Sequence, residues 1–573
     1  MVQQLAKTSL GQPRAGGCRL APVVIAAATA VALAPLFLYG VPANSWDARF
    51  HAIEIRHFSD QLWDGELYPR WLVAMNFGLG SPHFFYYSPL AYYFASLFDW
   101  FHAPNGLPQM TLAEICLLFL SGLACHLWLS RLTDPVSALI GSVFYIAAPY
   151  HVFVDSYIRG DYAEFAAYVW LPLLLHGVEL IKARRAVGFP LIAASYAGLI
   201  LTHIVIGLIY SGIPILYAIG RLGRRDARSG VILVGAASTL GLAVAGVYLL
   251  PAMTTQDAVQ MPIGPMSDVA FVFGSAHPSP RLFLFILALF VAYAALLAGI
   301  ATALWRCRRG KLNSFEATLL IIAAAYMMLM TAATRPIWDA LPMLRAVQYT
   351  YRLNTFVDLA LAGLMAAAAS ASMQRFGERR VLAAALGSIA LVAIVADGYA
   401  VSFGLFDVDR TLWEKRALYS PDYGLFRPRS AGALPADGLP LFSGGAFGQD
   451  LPPYDKVQVD SGGETTIRVT QWRPRDIRLA LEAATAGTAT VAQLYYPGWE
   501  AVSMKTGRTV RANPAGRQGL VEIAFEAGSD EVALRLAPRP VETLGWFVSG
   551  LGVLLLLYIS IVLRRSWSAT PSC

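Results

Sequence analysis

Runs of about 17 to 24 apolar residues recur along this chain, each long enough to cross the hydrocarbon of a bilayer as a helix. They lie near 20–40, 111–130, 135–153, 163–181, 187–203, 205–220, 231–251, 281–304, 314–333, 352–372, 380–401 and 541–563. A backbone in lipid must satisfy its own hydrogen bonds, so continuous apolar runs of this length cross as helices. The predicted fold is a polytopic α-helical membrane protein with about 12 spans. Composition agrees: 56% of the 573 residues are hydrophobic and 14% charged, where soluble proteins carry about a quarter charged residues. The stretch 187–220 is the tightest, because it must supply two crossings and a turn.

Basic residues test the topology. With Lys7, Arg14 and Arg19 in the cytoplasm, alternate connections collect Arg131, then Lys182, Arg184 and Arg185, then Arg221, Arg224, Arg225 and Arg228. Arg306, Arg308, Arg309, Lys311, Arg375, Arg379, Arg380 and the tail's Arg564 and Arg565 follow on the same side. Splitting 187–220 into two spans preserves the alternation. The expectation is a multi-pass protein of the bacterial inner (cytoplasmic) membrane with both termini cytoplasmic and an uncleaved first span. The net charge of +7 is then mostly cytoplasmic anchoring and does not indicate nucleic-acid binding. No cysteine lies in a predicted external segment, so no disulfide framework is expected.

The longer connections fall outside. The first, 41–110, carries Asp47, His51 and Glu54 at i, i+4 and i+7, one face of a helix. The bland alternative is an amphipathic helix lying on lipid. The same loop holds a glycine-rich aromatic stretch ending in Tyr86 and Tyr87. Such rings anchor at interfaces, stack on sugar faces or line an isoprenoid groove. A second outer segment gathers Asp155, Arg159, Asp161 and Glu164 ahead of a span, where a helix N-terminus also favours an acid. A third, 253–280, is rich in Met, Pro and Gly and suits a mobile cover. A fourth holds Arg345 and Arg352, outer cations that go against the positive-inside bias and point to an anionic partner. His203 sits in the short turn between the fifth and sixth spans, where a hydrogen-bonded turn histidine is the plain alternative.

From about Ser402 to Arg539 the character changes. Thr465–Val469, Ile477–Leu481, Leu520–Phe525 and Glu531–Leu536 alternate with period two, as strands of an extracytoplasmic β-sandwich before the last span. Tyr495-Tyr496-Pro497-Gly498-Trp499 reads as a turn with exposed rings. The domain plan is 1–401 transmembrane, 402–540 sandwich, and 541–573 final helix and cytoplasmic tail. The sequence shows no Walker loop, dinucleotide fingerprint, His-Glu-x-x-His helix or cysteine-pair zinc site.

Outer carboxylates, outer cations and aromatic surface suit transfer from a lipid-linked phosphate donor. A base must deprotonate an acceptor hydroxyl, and arginine or a divalent metal (Mg or Mn) must hold the departing phosphate. The expected partners are a polyprenyl-phosphate-sugar donor, an envelope glycan, lipid or protein acceptor, and membrane lipid. Two other readings remain open: a lipid or glycan transporter, with charges spread through the spans, and a non-catalytic scaffold for envelope assembly.

The acidic first outer loop, the second acidic outer loop, the many spans and the external C-terminal domain resemble the GT-C superfamily of membrane glycosyltransferases. Asp47-Ala-Arg-Phe-His51, Gly65-Glu66-Leu67-Tyr68-Pro69-Arg70-Trp71, Tyr157-Ile158-Arg159-Gly160-Asp161-Tyr162-Ala163-Glu164 and Tyr495-Tyr496-Pro497-Gly498-Trp499 resemble bacterial multispanning proteins related to pyruvoyl-tetrahydropterin synthase and YfhO-like proteins. The resemblance implies Asp47 as base or metal ligand, with His51 and Glu54 supporting it. It places Asp161 and Glu164 in a second acidic site, with Asp161 as a further metal ligand. Asp155, Arg159, His203, Arg345, Arg352, Tyr86 and Tyr87 would contact substrate. Ala48 stands where the superfamily often has a second acid. Nothing here resembles the zinc site of the soluble pterin enzyme.

Overall fold

The computed structural model describes residues 17–42, 44–101, 106–222, 227–261, 271–272, 313–406, 426–432, 456–516 and 518–568. Helices occupy the predicted apolar runs within these residues; the run at 281–304 and most of the predicted cover at 253–280 lie outside them. Among the described residues, seven helices rather than twelve are long and apolar enough to cross a membrane, or eight if a bent pair counts as one span. The seven are Leu107–Leu129, Pro135–Arg159, Tyr162–Lys182, Ile204–Arg221, Thr350–Phe376, Glu378–Ser402 and Pro540–Val562. Leu20–Ala32, Gly188–Thr202 and Ser314–Leu329 are apolar but shorter. The tight stretch 187–220 does break in two, at His203, whose extended backbone (φ −156°, ψ 104°) ends one helix and opens the next.

The bent pair is Arg228–Val244 with Gly246–Thr254, at 74°. A break in a span frees backbone groups that lipid cannot satisfy. Ser549 of the last helix answers this: its hydroxyl accepts from Val247 N (2.7 Å) and donates to Val244 O (2.8 Å). Arg70 Nη2 donates to Val247 O at 2.7 Å. Gly545 permits the contact, since a Cβ there would lie 2.9 Å from Gly246 O.

The long first connection, 41–110, folds into the protein. Its helix Ala48–Trp63 buries Phe50, His51, Ile53, Glu54, Ile55 and Phe58 and packs against Leu90–Ser96 and Leu107–Leu129. That burial corrects the lipid-surface alternative: the polar face looks inward, not to headgroups.

Among the described residues the sandwich contains nine antiparallel strands, β1 (Val457–Ser461), β2 (Thr465–Arg473), β3 (Asp476–Ala483), β4 (Gly487–Leu494), β5 (Trp499–Ser503), β6 (Thr509–Arg511), β7 (Asn513–Ala515), β8 (Leu520–Phe525) and β9 (Gly528–Leu536). One sheet has the order β1-β4-β8-β7, the other β2-β3-β9-β5-β6. The four predicted runs fall in β2, β3, β8 and β9. The turn at 495–499 is present, but its rings are not exposed: Tyr496 and Trp499 are each 1% exposed. The first long connection covers them, with Trp71 edge-on to Trp499 (centroids 5.7 Å) and Phe85 beside Tyr496 (5.2 Å). Gln493 completes the joint, accepting from Trp71 Nε1 (2.9 Å) and donating to Gly78 O (2.7 Å). The described cysteines with placed side chains, Cys116 and Cys125, are free.

Candidate functional site

The second acidic segment is built on an uncommon helix. Residues Tyr150–Arg159 form a π-helical stretch ended by Gly160 in the left-handed region (φ 65°). Such stretches are rare and frequently mark functional sites. In this winding Asp155 and Arg159 meet, Nη1 to Oδ1 at 2.5 Å. Gly160 serves twice. It takes the backbone conformation that L-residues avoid, and a Cβ there would lie 2.3 Å from Ser45 Oγ and 2.7 Å from Ala48 N. The first long connection therefore docks directly on this turn, with Trp46 N donating to Ile158 O (3.1 Å) and Asp47 N to Arg159 O (2.6 Å).

Asp161 then caps the helix Tyr162–Ala167, its Oδ1 accepting from Glu164 N at 3.1 Å. Its Oδ2 pairs with Arg159 Nη2 and lies 3.6 Å from Arg352 Nη2. Glu164 Oε2 lies 2.9 Å from Arg159 Nη1 and 3.4 Å from Arg352 Nε, while Oε1 accepts from the Tyr150 hydroxyl (2.7 Å). Three carboxylates thus share two guanidiniums. Arg159 is sealed, with a side chain 1% exposed, whereas Arg352 keeps 10%.

The first-loop helix adds the rest. His51 Nε2 lies 3.6 Å from Asp161 Oδ1, and Nδ1 is 2.7 Å from the Tyr92 hydroxyl. That hydroxyl donates its one proton to Glu54 Oε2 (2.7 Å), so its oxygen accepts from His51 Nδ1–H. Both ring nitrogens therefore face acceptors, which favours the imidazolium. Burial by itself would lower the His51 pKa, but the carboxylates of Asp161 and Glu54 outweigh it and hold the ring up to about 10. Burial would likewise raise Glu54, yet His83 (3.4 Å) and His51 hold its carboxyl below the ordinary value. Asp161 is held well below the usual range against its burial, chiefly by Arg159 and His51.

Asp47 differs. It stands at the N-cap of its helix without a side-chain capping bond, half-buried. Burial raises its pKa, the nearby Asp161 carboxylate adds to this, and Arg159, His51 and Arg352 oppose it. Of Asp47, Glu54 and Asp161 it is the one whose carboxyl is raised and not lowered.

Of the other predicted residues, Tyr87 joins the cluster, its ring 6.1 Å from His51 and 6.3 Å from His203. Tyr86 turns to the sandwich, bonding the Tyr496 hydroxyl (2.9 Å) and Thr255 O (2.7 Å). Arg345 stays apart and donates to Asp339 O at 2.7 Å. The second cation at the cluster is Arg352, carried in at the foot of the helix Asn354–Phe376. Tyr92, Tyr150 and His83 were not anticipated; His83 stands inside the aromatic stretch, but nothing in the sequence separates Tyr92 or Tyr150 from membrane-belt aromatics.

Asp161, Glu164 and His203 each place one ligand atom within 4.8 Å of the others, all buried, the spacing of a possible metal triad. Asp47 is not among these three. The donors also fit a resident ion poorly. Both carboxylates are already shared by Arg159 and Arg352, and His203 Nδ1 accepts from Ile206 N (3.2 Å).

No curated protein matches the chain. Among solved structures it is similar to the archaeal oligosaccharyltransferase AglB from Archaeoglobus fulgidus in complex with an inhibitory peptide and a dolichol-phosphate, with 13% identity and a TM-score of 0.41 over 70% of this chain and 56% of that one. It is similar to the apo oligosaccharyltransferase of that organism (12%, 0.40, 72% and 56%). The complex of the same enzyme with Zn and sulfate also matches (12%, 0.36, 70% and 53%). This chain spans little more than half the length of those proteins. The family described as "6-pyruvoyl-tetrahydropterin synthase related domain; membrane protein" matches residues 84–403, more than half of the chain and the stretch that carries Asp155, Arg159, Asp161, Glu164, His203 and Arg352. The chain belongs to that family of membrane proteins.

Proposed function

We propose that this protein is a GT-C-type membrane glycosyltransferase that moves a sugar from a polyprenyl-phosphate-linked donor to an envelope acceptor. The reading places the reaction on the outer face of a bacterial inner membrane. The observation that carries it is convergence: Asp47 and His51 from the first loop meet Arg159, Asp161, Glu164 and Arg352, more than a hundred residues on, in one largely buried cluster. The sandwich 402–540 belongs to the same outer side on this reading, since Leu494 N donates to Leu79 O of the first loop (2.5 Å).

The acceptor hydroxyl oxygen forms a bond to the sugar's anomeric carbon as the bond from that carbon to the phosphate oxygen breaks. The hydroxyl proton passes to the Asp47 carboxylate, whose raised pKa makes it a better base than a free carboxylate. The electron pair leaves with the phosphate, and Arg352, the cluster's less buried guanidinium, meets the charge that develops there. Arg159, closed off by Asp155, Asp161 and Glu164, orients those acids. Tyr87 forms a wall of the sugar site.

The test is Asp47→Asn in membranes supplied with radiolabelled polyprenyl-phosphate sugar. Transfer should fall about 100-fold or more, the usual range for a general base, with insertion and melting temperature retained. Full transfer by the correctly inserted variant would remove Asp47 from the chemistry.

A further inference from the structure

The triad of Asp161, Glu164 and His203 has metal-site spacing, and its neighbours decide what fills it. Every carboxylate oxygen faces a donor or a cation, although Glu164 Oε2 makes ion pairs without a hydrogen bond. Asp161 Oδ2 faces Arg159 and Arg352, and its Oδ1 accepts from Glu164 N while lying 3.6 Å from His51 Nε2. Glu164 Oε2 faces both arginines at 2.9 and 3.4 Å, and Oε1 takes the Tyr150 proton. The third donor is also committed. With Nδ1 accepting from Ile206 N, the neutral His203 ring carries its proton on Nε2, so a metal would have to take the Nδ1 lone pair from that bond. A divalent ion entering here would have to expel two guanidiniums from buried partners, or sit against their charge.

We propose that this triad is an arginine-filled metal site: Arg159 and Arg352 stand where a divalent cation would, and the protein works without one. The guanidinium fork suits the place because it bonds two oxygens at fixed spacing and stays charged at every working pH. For the reaction the inference rests on the glycosyl-transfer reading. It then assigns stabilisation of the leaving phosphate to Arg352 and leaves no part to magnesium or manganese. The binding claim stands on the triad alone.

The full-length protein in detergent, stripped with EDTA and titrated with Mn2+, gives the test by the loss of the free-ion EPR signal. The wild type should bind no stoichiometric Mn2+, and neither EDTA nor Mn2+ should move its melting temperature. Arg352→Gln vacates one side of Asp161 and Glu164 and should gain one bound ion per chain. Arg352→Lys, which keeps a charge, should not. Adding Glu164→Gln to Arg352→Gln should abolish the gain. One tightly bound Mn2+ per wild-type chain, lost in Glu164→Gln, overturns the inference, and that measurement decides even where Arg352→Gln does not fold. A folded Arg352→Gln that gains no ion overturns it too. A metal found in the wild type leaves the transferase reading standing; undiminished transfer by Asp47→Asn removes that reading and leaves the arginine-filled site.

Discussion

One span of this protein carries a buried arginine–carboxylate cluster at each end, and the two are built on different charge counts. Fifteen residues separate Glu164 from Glu179 along Tyr162–Lys182, about 22 Å of helix. At the Glu179 end one carboxylate meets one guanidinium: Arg221 Nε to Oε1 at 2.5 Å and Nη2 to Oε2 at 3.0 Å, with the Tyr217 hydroxyl donating to Oε1 (2.8 Å). That pair is bidentate, balanced and closed. At the Glu164 end Asp155, Asp161 and Glu164 share Arg159 and Arg352, and His51, Glu54 and Asp47 extend the set. A balanced pair holds two helices together and asks nothing of a ligand. Among the acids outside the spans, the excess of carboxylates leaves Asp47 raised where Glu54 and Asp161 are lowered, and perturbed groups of this kind are common at functional sites.

Substitutions can break this contrast, and the largest effect belongs to Arg159. Arg159→Met strands the buried Asp155 and leaves Asp161 and Glu164 to Arg352 alone; it should cost about 3–5 kcal/mol, read as a lowered melting temperature in detergent. The double change Glu179→Leu with Arg221→Met removes both charges and should cost no more than about 1 kcal/mol, because a closed buried pair can be replaced by apolar packing. Equal losses in the two variants would erase the distinction. Gly160→Ala comes next at about 1–3 kcal/mol, from the left-handed backbone and the clash with Ser45 and Ala48. It should also loosen the first loop, seen as faster amide exchange at Asp47. An unchanged exchange rate there would show that the docking does not depend on this turn.

The pH response sharpens the contrast at a smaller scale. A histidine held up to about 10 in the folded protein and near 6.5 when unfolded contributes fully below about 6.5 and loses that contribution as pH rises toward 10. Glu54 and Asp161, held low, contribute above the ordinary carboxylate range and lose it as pH falls. Wild-type melting should therefore decline from pH 6.5 to 10, and His51→Gln should flatten that limb; an equally steep limb in the variant would refute the role of His51. Asp47→Asn is the smallest, within about 0.5 kcal/mol of wild type, since its carboxylate caps nothing. A large destabilisation would make Asp47 a structural acid.

Much of this was legible in the chain. The apolar runs marked the helices, and the i, i+4, i+7 spacing put His51 and Glu54 on a buried face. Period-two runs located β2, β3, β8 and β9. The less regular parts were opaque. Arg345 and Arg352 look alike in sequence, yet one bonds a local carbonyl and the other enters the cluster, because only Arg352 lies at the turn leading into Asn354–Phe376. Tyr496 and Trp499 looked like exposed turn rings because their cover, Trp71 and Phe85, is more than 400 residues away in the chain. The span count rests on more than apolarity: an apolar run shows that a segment avoids water, not whether its helix is long enough or straight enough to cross, and among the described residues seven helices meet that test.

By itself the sequence determined that this is a helical membrane protein with a β-sandwich near its C-terminus, since hydrophobic length and periodicity are local properties that each segment carries alone. Which acids share which arginines, and which acid is left without one, was decided only by tertiary structure. Charge pairing acts across a few ångströms of low-dielectric interior, and the partners here are brought together by a π-helical turn, a glycine and a docking loop from distant stretches of chain.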